Sequence, residues 1–176
     1  EGRERFLSIM GDESQRMARM IDDLLSLSRV ETSERLRPQE QVNVIDLLEL
    51  TRELLIGRAE ERKMELVFDF AADISVLAGD HDELMEVFQN LIDNAIKYGR
   101  EASSVRITTG LVEHIPEIGG AGIAVAIENK GDGIAPDQLP RLTERFYRVD
   151  KGRSRKLGGT GLGLAIVKHI VSHHRG

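Results

Sequence analysis

The chain has 176 residues, 40% of them hydrophobic, which is enough for one well-buried core with a further helical element beside it. Its 30 acidic and 24 basic residues leave a net charge of -6, which argues against a phosphate-backbone binder, so no nucleic acid partner is expected. The absence of cysteine excludes disulfides and thiolate metal sites, and no run approaches the about 18 apolar residues that span a bilayer. A cytoplasmic chain without membrane contact is expected, any inner-membrane anchor of a parent protein lying outside it.

The first thirty residues read as one helix. Phe6, Met10, Met17, Met20, Leu24 and Leu27 fall on alternating steps of three and four, Glu13 fills the one polar place, and Ile21 and Leu25 widen the stripe. Such a helix is half of a hairpin or bundle, or packs on its own domain. Residues 32–41 are polar and carry Pro38, so a linker is placed there. Val44 opens a second amphipathic helix, with Ile45, Leu48, Leu55 and Ala59 at helical spacing to about Arg62. ELVFDF then has the period of a strand, and residues 74–77 read as another. Asp80 or Asp82 caps a helix whose Leu84, Val87, Phe88, Leu91, Ile92 and Ala95 form a single apolar face ending near Gly99.

Residues 105–112 and 122–127 read as antiparallel strands joined through Pro116, Gly119 and Gly120. A glycine-punctuated segment follows, with a short helix around residues 138–143, and then a last helix over about 161–173. Helices mixed with strands joined mostly by hairpins predict an α+β fold, a two-layer sandwich with helices on one face of a mixed sheet.

Three elements carry chemistry. Asn90, Asn94 and Lys97 lie at spacings of four and three, which gathers two amides and an ammonium on one flank of a helix. Amide oxygens suit a hard cation that shares phosphate ligands, and lysine neutralises phosphate, although a solvated edge has the same composition. Gly131-Asp132-Gly133-Ile134 follows an apolar strand, and its two glycines allow a sharp turn against a flat ligand, or an ordinary loop. Gly158-Gly159-Thr160-Gly161-Leu162-Gly163-Leu164 runs straight into an apolar helix, exposing N–H groups that favour phosphate. It lacks the GK[ST] ending of a P-loop. Valine at Gly161 is expected to damage nucleotide binding more than folding, because a Cβ there would block the phosphate approach and any positive φ.

In this order NLIDNAIKY, NKGDGI, ERFYR and GGTGLGLAIVKHIV resemble the four nucleotide-binding boxes of sensor histidine kinases, whose fold is shared by gyrase-type and heat-shock-chaperone ATPases. MIDDLLSLSRVE resembles the second helix of that family's dimerisation hairpin. The resemblance implies a hairpin helix over 1–31, a linker over 32–42 and an ATP-binding catalytic domain over 43–176. It implies ATP and Mg2+ as cofactors, with Asn94 on the metal, Asn90 by the reacting phosphate, Lys97 on phosphate and Tyr98 near the nucleoside. Asn129, Gly131, Gly133 and Ile134 would border adenine, and Phe146 and Arg148 match the aromatic box. Gly159, Thr160, Gly161, Leu162 and Gly163 match the turn after the triphosphate, and residues 150–157 would form a mobile lid. The implied activity is transfer of the ATP γ-phosphoryl group to a histidine, for relay to a response regulator receiver domain, in a homodimeric parent. The alternatives are a regulatory nucleotide-binding module with impaired catalysis and a structural dimerisation domain, the latter leaving the glycine-rich loops without a purpose.

Three departures from the family pattern stand out. No His-Glu-Leu-Arg type motif supplies a phosphoacceptor, and His81, His114, His169, His173 and His174 read as surface or cap residues, with His169 placed to meet the core. The chain stops at His174-Arg175-Gly176, where the family continues with two strands, so a truncated domain is expected. Asn129 stands where the family carries an aspartate for the adenine amino group, and strand alternation sends Glu128 to the opposite face.

Overall fold

The computed structural model describes residues 2–33, 38–71, 76–115, 119–149 and 159–176. Helix α1, Gly2–Ser33, has 32 residues and so a length of about 48 Å. Of the apolar stripe expected along it, Leu27 is buried and Met20 packs against the core, while Phe6, Met10, Met17 and Leu24 remain exposed. None of the helices among the described residues is long and apolar enough to cross a membrane.

Side-chain caps set the starts of the next two helices. The Asn43 carboxamide oxygen accepts from the N–H groups of Ile45 and Asp46 at 3.0 and 3.4 Å, opening α2, Val44–Glu61. Asp80, not Asp82, caps α3, His81–Tyr98, accepting from Asp82 and Glu83 N–H groups at 3.0 and 2.9 Å. The other end of α3 is held from outside. The Arg62 guanidinium, just past α2, donates to the carbonyls of Ile96, Lys97 and Gly99, which a helix end leaves without internal partners. This clamp orients the last turn of α3, where Lys97 and Tyr98 stand.

Two sheets form. Strands β1, Glu40–Asn43, and β3, Val76–Gly79, pair antiparallel, with Val42 opposite Leu77. Strand β2, Glu65–Asp69, runs parallel to β4, Ser104–Ile115, and β4 pairs antiparallel with β5, Gly120–Asn129, in the order β2-β4-β5. The mixed sheet and the expected hairpin are therefore present, with Ile107 opposite Ile127. Strand β1 was not expected: residues 40–42 read as linker. Four residues with a single buried apolar side chain, Val42, carry no usable period, and only the pairing with β3 makes them a strand. The strand expected over 74–77 is seen over 76–79, its first two positions lying outside the described residues.

The short helix after β5 is a 3-10 helix, Pro136–Arg141, and the last helix, α4, is Gly163–His173. Leu47, Leu48 and Leu55 of α2, Ile92 and Ile96 of α3, Val105 and Ile107 of β4, and Ile166 and Ile170 of α4 meet in one core. Helices thus cover one face of the mixed sheet, and α1 docks its C-terminal part on α4.

Candidate nucleotide-binding site

A cavity of about 830 Å3 opens between α3, the end of β5, the segment after it and the glycine turn before α4. From α3 come Asn90, Asn94, Lys97 and Tyr98, and from the β5 end come Asn129, Gly131, Gly133 and Ile134. Arg148, Gly159, Thr160, Gly161 and Gly163 complete the residues anticipated from sequence. Two others do not reach it. Leu162 is fully buried in the core, where it anchors the turn, and its N–H donates to Thr160 Oγ1 at 3.3 Å. Phe146 is 53% exposed and lies outside the lining, and what it contributes is backbone: with φ of +62° its N–H donates to the Gly161 carbonyl at 2.8 Å. The lid expected over 150–157 lies outside the described residues.

The glycines differ in purpose. Gly133, with φ of +78°, has open space where a Cβ would be, so its conformation alone calls for glycine. At Gly131 a Cβ would lie 3.1 Å from the Tyr98 carbonyl oxygen and 3.2 Å from Asn129 Nδ2. The chain therefore crosses the end of α3 closely enough to bring both side chains to one wall. Gly161 has φ of +80°, and a Cβ there would lie 3.0 and 3.1 Å from Cα and C of Phe146. The positive φ at Gly161 calls for glycine, and so does the packing of the turn on residues 146–148, which the Arg148 guanidinium reinforces by donating to the Gly159 carbonyl. At Gly163 a Cβ would lie 2.6 Å from Asn90 Oδ1, so this glycine makes room for the amide. The Asn90 amide is in turn oriented by donation from Nδ2 to the Glu86 carbonyl at 3.0 Å, which leaves Oδ1 toward Gly163 in the cavity wall.

Several lining residues escaped the sequence reading. Asp93 accepts from Arg58 of α2 at 2.7 Å and from Lys97, so the lysine is held by an ion pair inside the site. The Asp93–Lys97 pairing has a signal in its spacing of four, whereas Arg58 lies on another helix. Lys97 has three donors, so pairing with Asp93 is compatible with phosphate contact. Asp23 and Arg19 of α1 also line the cavity, and the Thr160 hydroxyl donates to Asp23 Oδ2 at 2.5 Å. Ser26 of α1 also meets α3, its hydroxyl donating to Glu86 Oε2 at 2.5 Å. Burial raises the Glu86 carboxyl above the usual glutamate range, the Ser26 hydrogen bond opposes this, and Asp23 and Glu83 add to it.

A second cluster lies at the far end of α4, where Glu83, His173 and His174 have metal-ligating atoms within 4.8 Å of one another. His173 is buried, unlike the surface or cap residue expected, because its Nδ1 lies 2.9 Å from Glu83 Oε2. His174 Nε2 accepts from the Asp80 N–H at 3.0 Å, so the ring proton is on Nδ1, facing the Ile170 carbonyl at 2.8 Å. With both ring nitrogens engaged, His174 clasps the start of α3 to the end of α4 instead of ligating a metal.

Residues 79–176 match the histidine kinase-, DNA gyrase B-, and HSP90-like ATPase family. The chain belongs to this family. Within it, the chain is 38% identical over 172 residues to the sensor-like histidine kinase SenX3 of Mycolicibacterium smegmatis, covering 98% of this chain and 43% of that protein. It is 36% identical over 165 residues to the sensor histidine kinase CusS of Escherichia coli strain K12, covering 94% and 32%. The chain thus spans about a third to two fifths of the length of these relatives. Full-length ShkA in complex with AMPPNP shares the fold, with a TM-score of 0.77 over 98% of this chain and 34% of that one, at 23% identity.

Proposed function

We propose that this chain is the ATP-binding catalytic part of a sensor histidine kinase, which passes the γ-phosphoryl group of ATP to a histidine imidazole on a separate segment, for relay to a response regulator receiver domain. The observation that carries the reading is the pairing of two walls: Asn90, Asn94 and Lys97 on α3 line the same cavity as the glycine turn leading to the α4 N-terminus. One wall offers neutral oxygens and an ammonium, and the other offers backbone N–H groups and the positive end of a helix dipole. Neutral amide oxygens hold a cation weakly alone, so this donor set fits Mg2+ that arrives with phosphate, Asn94 being its ligand. Bound there, Mg2+ would offset charge on the transferring phosphoryl group.

Asn129, Gly131, Gly133 and Ile134 at the β5 end are assigned to the base, and Arg148 holds the turn after the phosphates. Asn90 positions the reacting phosphate. Its amide cannot take a proton from water, which favours transfer to a histidine over hydrolysis. In the parent protein the exposed stripe of α1 is assigned to a homodimer; the division into hairpin helix, linker and catalytic domain is retained with α1 running to Ser33 and the catalytic domain starting at β1, because Glu40–Asn43 pair with β3.

Titration of the chain with Mg2+ and ADP, followed by incubation with γ-labelled ATP and a supplied acceptor hairpin, tests the proposal. Binding, label transfer to the hairpin and no stable label on this chain are expected. Asn94→Ala should abolish the Mg2+-dependent part of the affinity. Binding without transfer would favour the regulatory module, and no binding would refute the nucleotide reading.

A further inference from the structure

Helix α1 lies outside the family-matched residues 79–176, yet it reaches the cavity. Leu27 is 2% exposed, Ser26 donates to Glu86 one turn before Asn90, and Thr160 donates to Asp23, both hydrogen bonds being 2.5 Å. Asp23 itself is part of the lining. Thr160 also accepts from the Leu162 N–H, so the hydroxyl that Asp23 engages is the one that organises the turn into α4. A carboxylate in that position does what a phosphate oxygen does: it accepts from the hydroxyl and stands beside the positive end of a helix. The terminal phosphate that distinguishes a nucleoside triphosphate from a diphosphate brings extra negative charge to these same walls.

We propose that Asp23 sets the discrimination of this site between nucleoside di- and triphosphates, selecting against the triphosphate while α1 is docked. The inference rests on the nucleotide reading above. Asp23 is a specificity-determining residue, and it acts by its charge, which the Thr160 hydroxyl holds at the turn. Linkage makes the effect reciprocal: whatever factor α1 docking removes from triphosphate affinity, the triphosphate removes from α1 docking. Helix and nucleotide are thereby coupled through one side chain.

The test compares the wild-type chain with Asp23→Asn, each titrated with ADP and with a non-hydrolysable ATP analogue in the presence of Mg2+. Asparagine keeps a carbonyl oxygen for the Thr160 hydroxyl, so the charge is removed and the turn is spared. Triphosphate affinity is expected to rise about fivefold to tenfold, the scale of one charge acting across a hydrated cavity mouth, with ADP affinity changing less than about twofold. Amide exchange across residues 20–29 supplies a second readout: in wild type it should be faster with the analogue than with ADP, and Asp23→Asn should shrink that difference. A triphosphate-to-diphosphate affinity ratio that Asp23→Asn leaves unchanged or lowers overturns the proposal, as does equal exchange with both nucleotides in wild type. If wild type binds neither nucleotide, the nucleotide reading itself falls; if both bind and the ratio does not move, only this inference falls.

Discussion

Replacing Gly163 with alanine should separate binding from folding. Gly163 is the first residue of α4 and does not have a positive φ, so alanine suits the backbone and gains up to about 1 kcal/mol in helix propensity. Its Cβ, however, would lie 2.6 Å from Asn90 Oδ1 and 3.3 Å from Asn90 Cγ. The amide must swing away and give up its hydrogen bond to the Glu86 carbonyl, a loss of about 0.5 to 1.5 kcal/mol. The two terms nearly cancel, and unfolding stability should stay within about 1 kcal/mol of wild type. Binding should not. A hydrogen bond to charged phosphate is worth about 1.5 to 3 kcal/mol, so affinity for Mg2+ and a non-hydrolysable ATP analogue should fall roughly tenfold to a hundredfold. Gly161→Ala should do the reverse: its φ of +80° costs about 1 to 2 kcal/mol, and its Cβ meets the Phe146 backbone, which cannot give as a side chain can. Urea unfolding without ligand and calorimetric titration of both variants decide the matter. If Gly163→Ala binds the analogue as tightly as wild type, the placement of Asn90 at the reacting phosphate is wrong.

Asn129→Asp should tighten ADP about fivefold to tenfold and sharpen the preference over GDP, since a charged acceptor adds about 1 kcal/mol over a neutral one. Equal or weaker ADP binding by calorimetry would mean that the base is held by other groups. Glu86→Gln keeps an acceptor for Ser26 and removes a carboxylate that burial disfavours. Because the folded carboxyl titrates above its unfolded value, the cost of the charge is present above the folded pKa and relieved as pH falls toward the ordinary glutamate range. The glutamine variant should be more stable than wild type by less than about 1 kcal/mol at pH 7, with the gap closing at about pH 4.5. Thermal melts at both pH values check this, and a gap independent of pH would contradict it.

The sequence determined those features whose cause is local. Apolar residues at helical spacing are enough to mark α1, α2 and α3, because a helix presents every third and fourth side chain to one side whatever lies there. Glycine and proline between apolar runs announced the β4–β5 hairpin, and the glycine run followed by apolar residues announced the turn into α4. Strand alternation likewise placed Asn129 at the cavity and left Glu128 exposed opposite Arg106.

Tertiary structure alone decided what depends on residues distant in the chain. Strand β1 exists only through its pairing with β3, because a single buried valine has no period to read. The Arg62 clamp on α3 and the Arg58–Asp93 pair join residues 37 and 35 positions apart in the chain, with β2 and β3 between them, and no spacing rule reaches that far. What a Cβ at each glycine of the turn would meet was set by distant residues: Phe146 at Gly161, Asn90 at Gly163. Leu162 and Gly163 are neighbours in the same motif, yet the turn sends one side chain into the core and sets the other position against Asn90. Asp23 reaches Thr160 across 137 residues, a contact that neither segment signals because each of its groups is an ordinary polar residue until docking brings them to 2.5 Å.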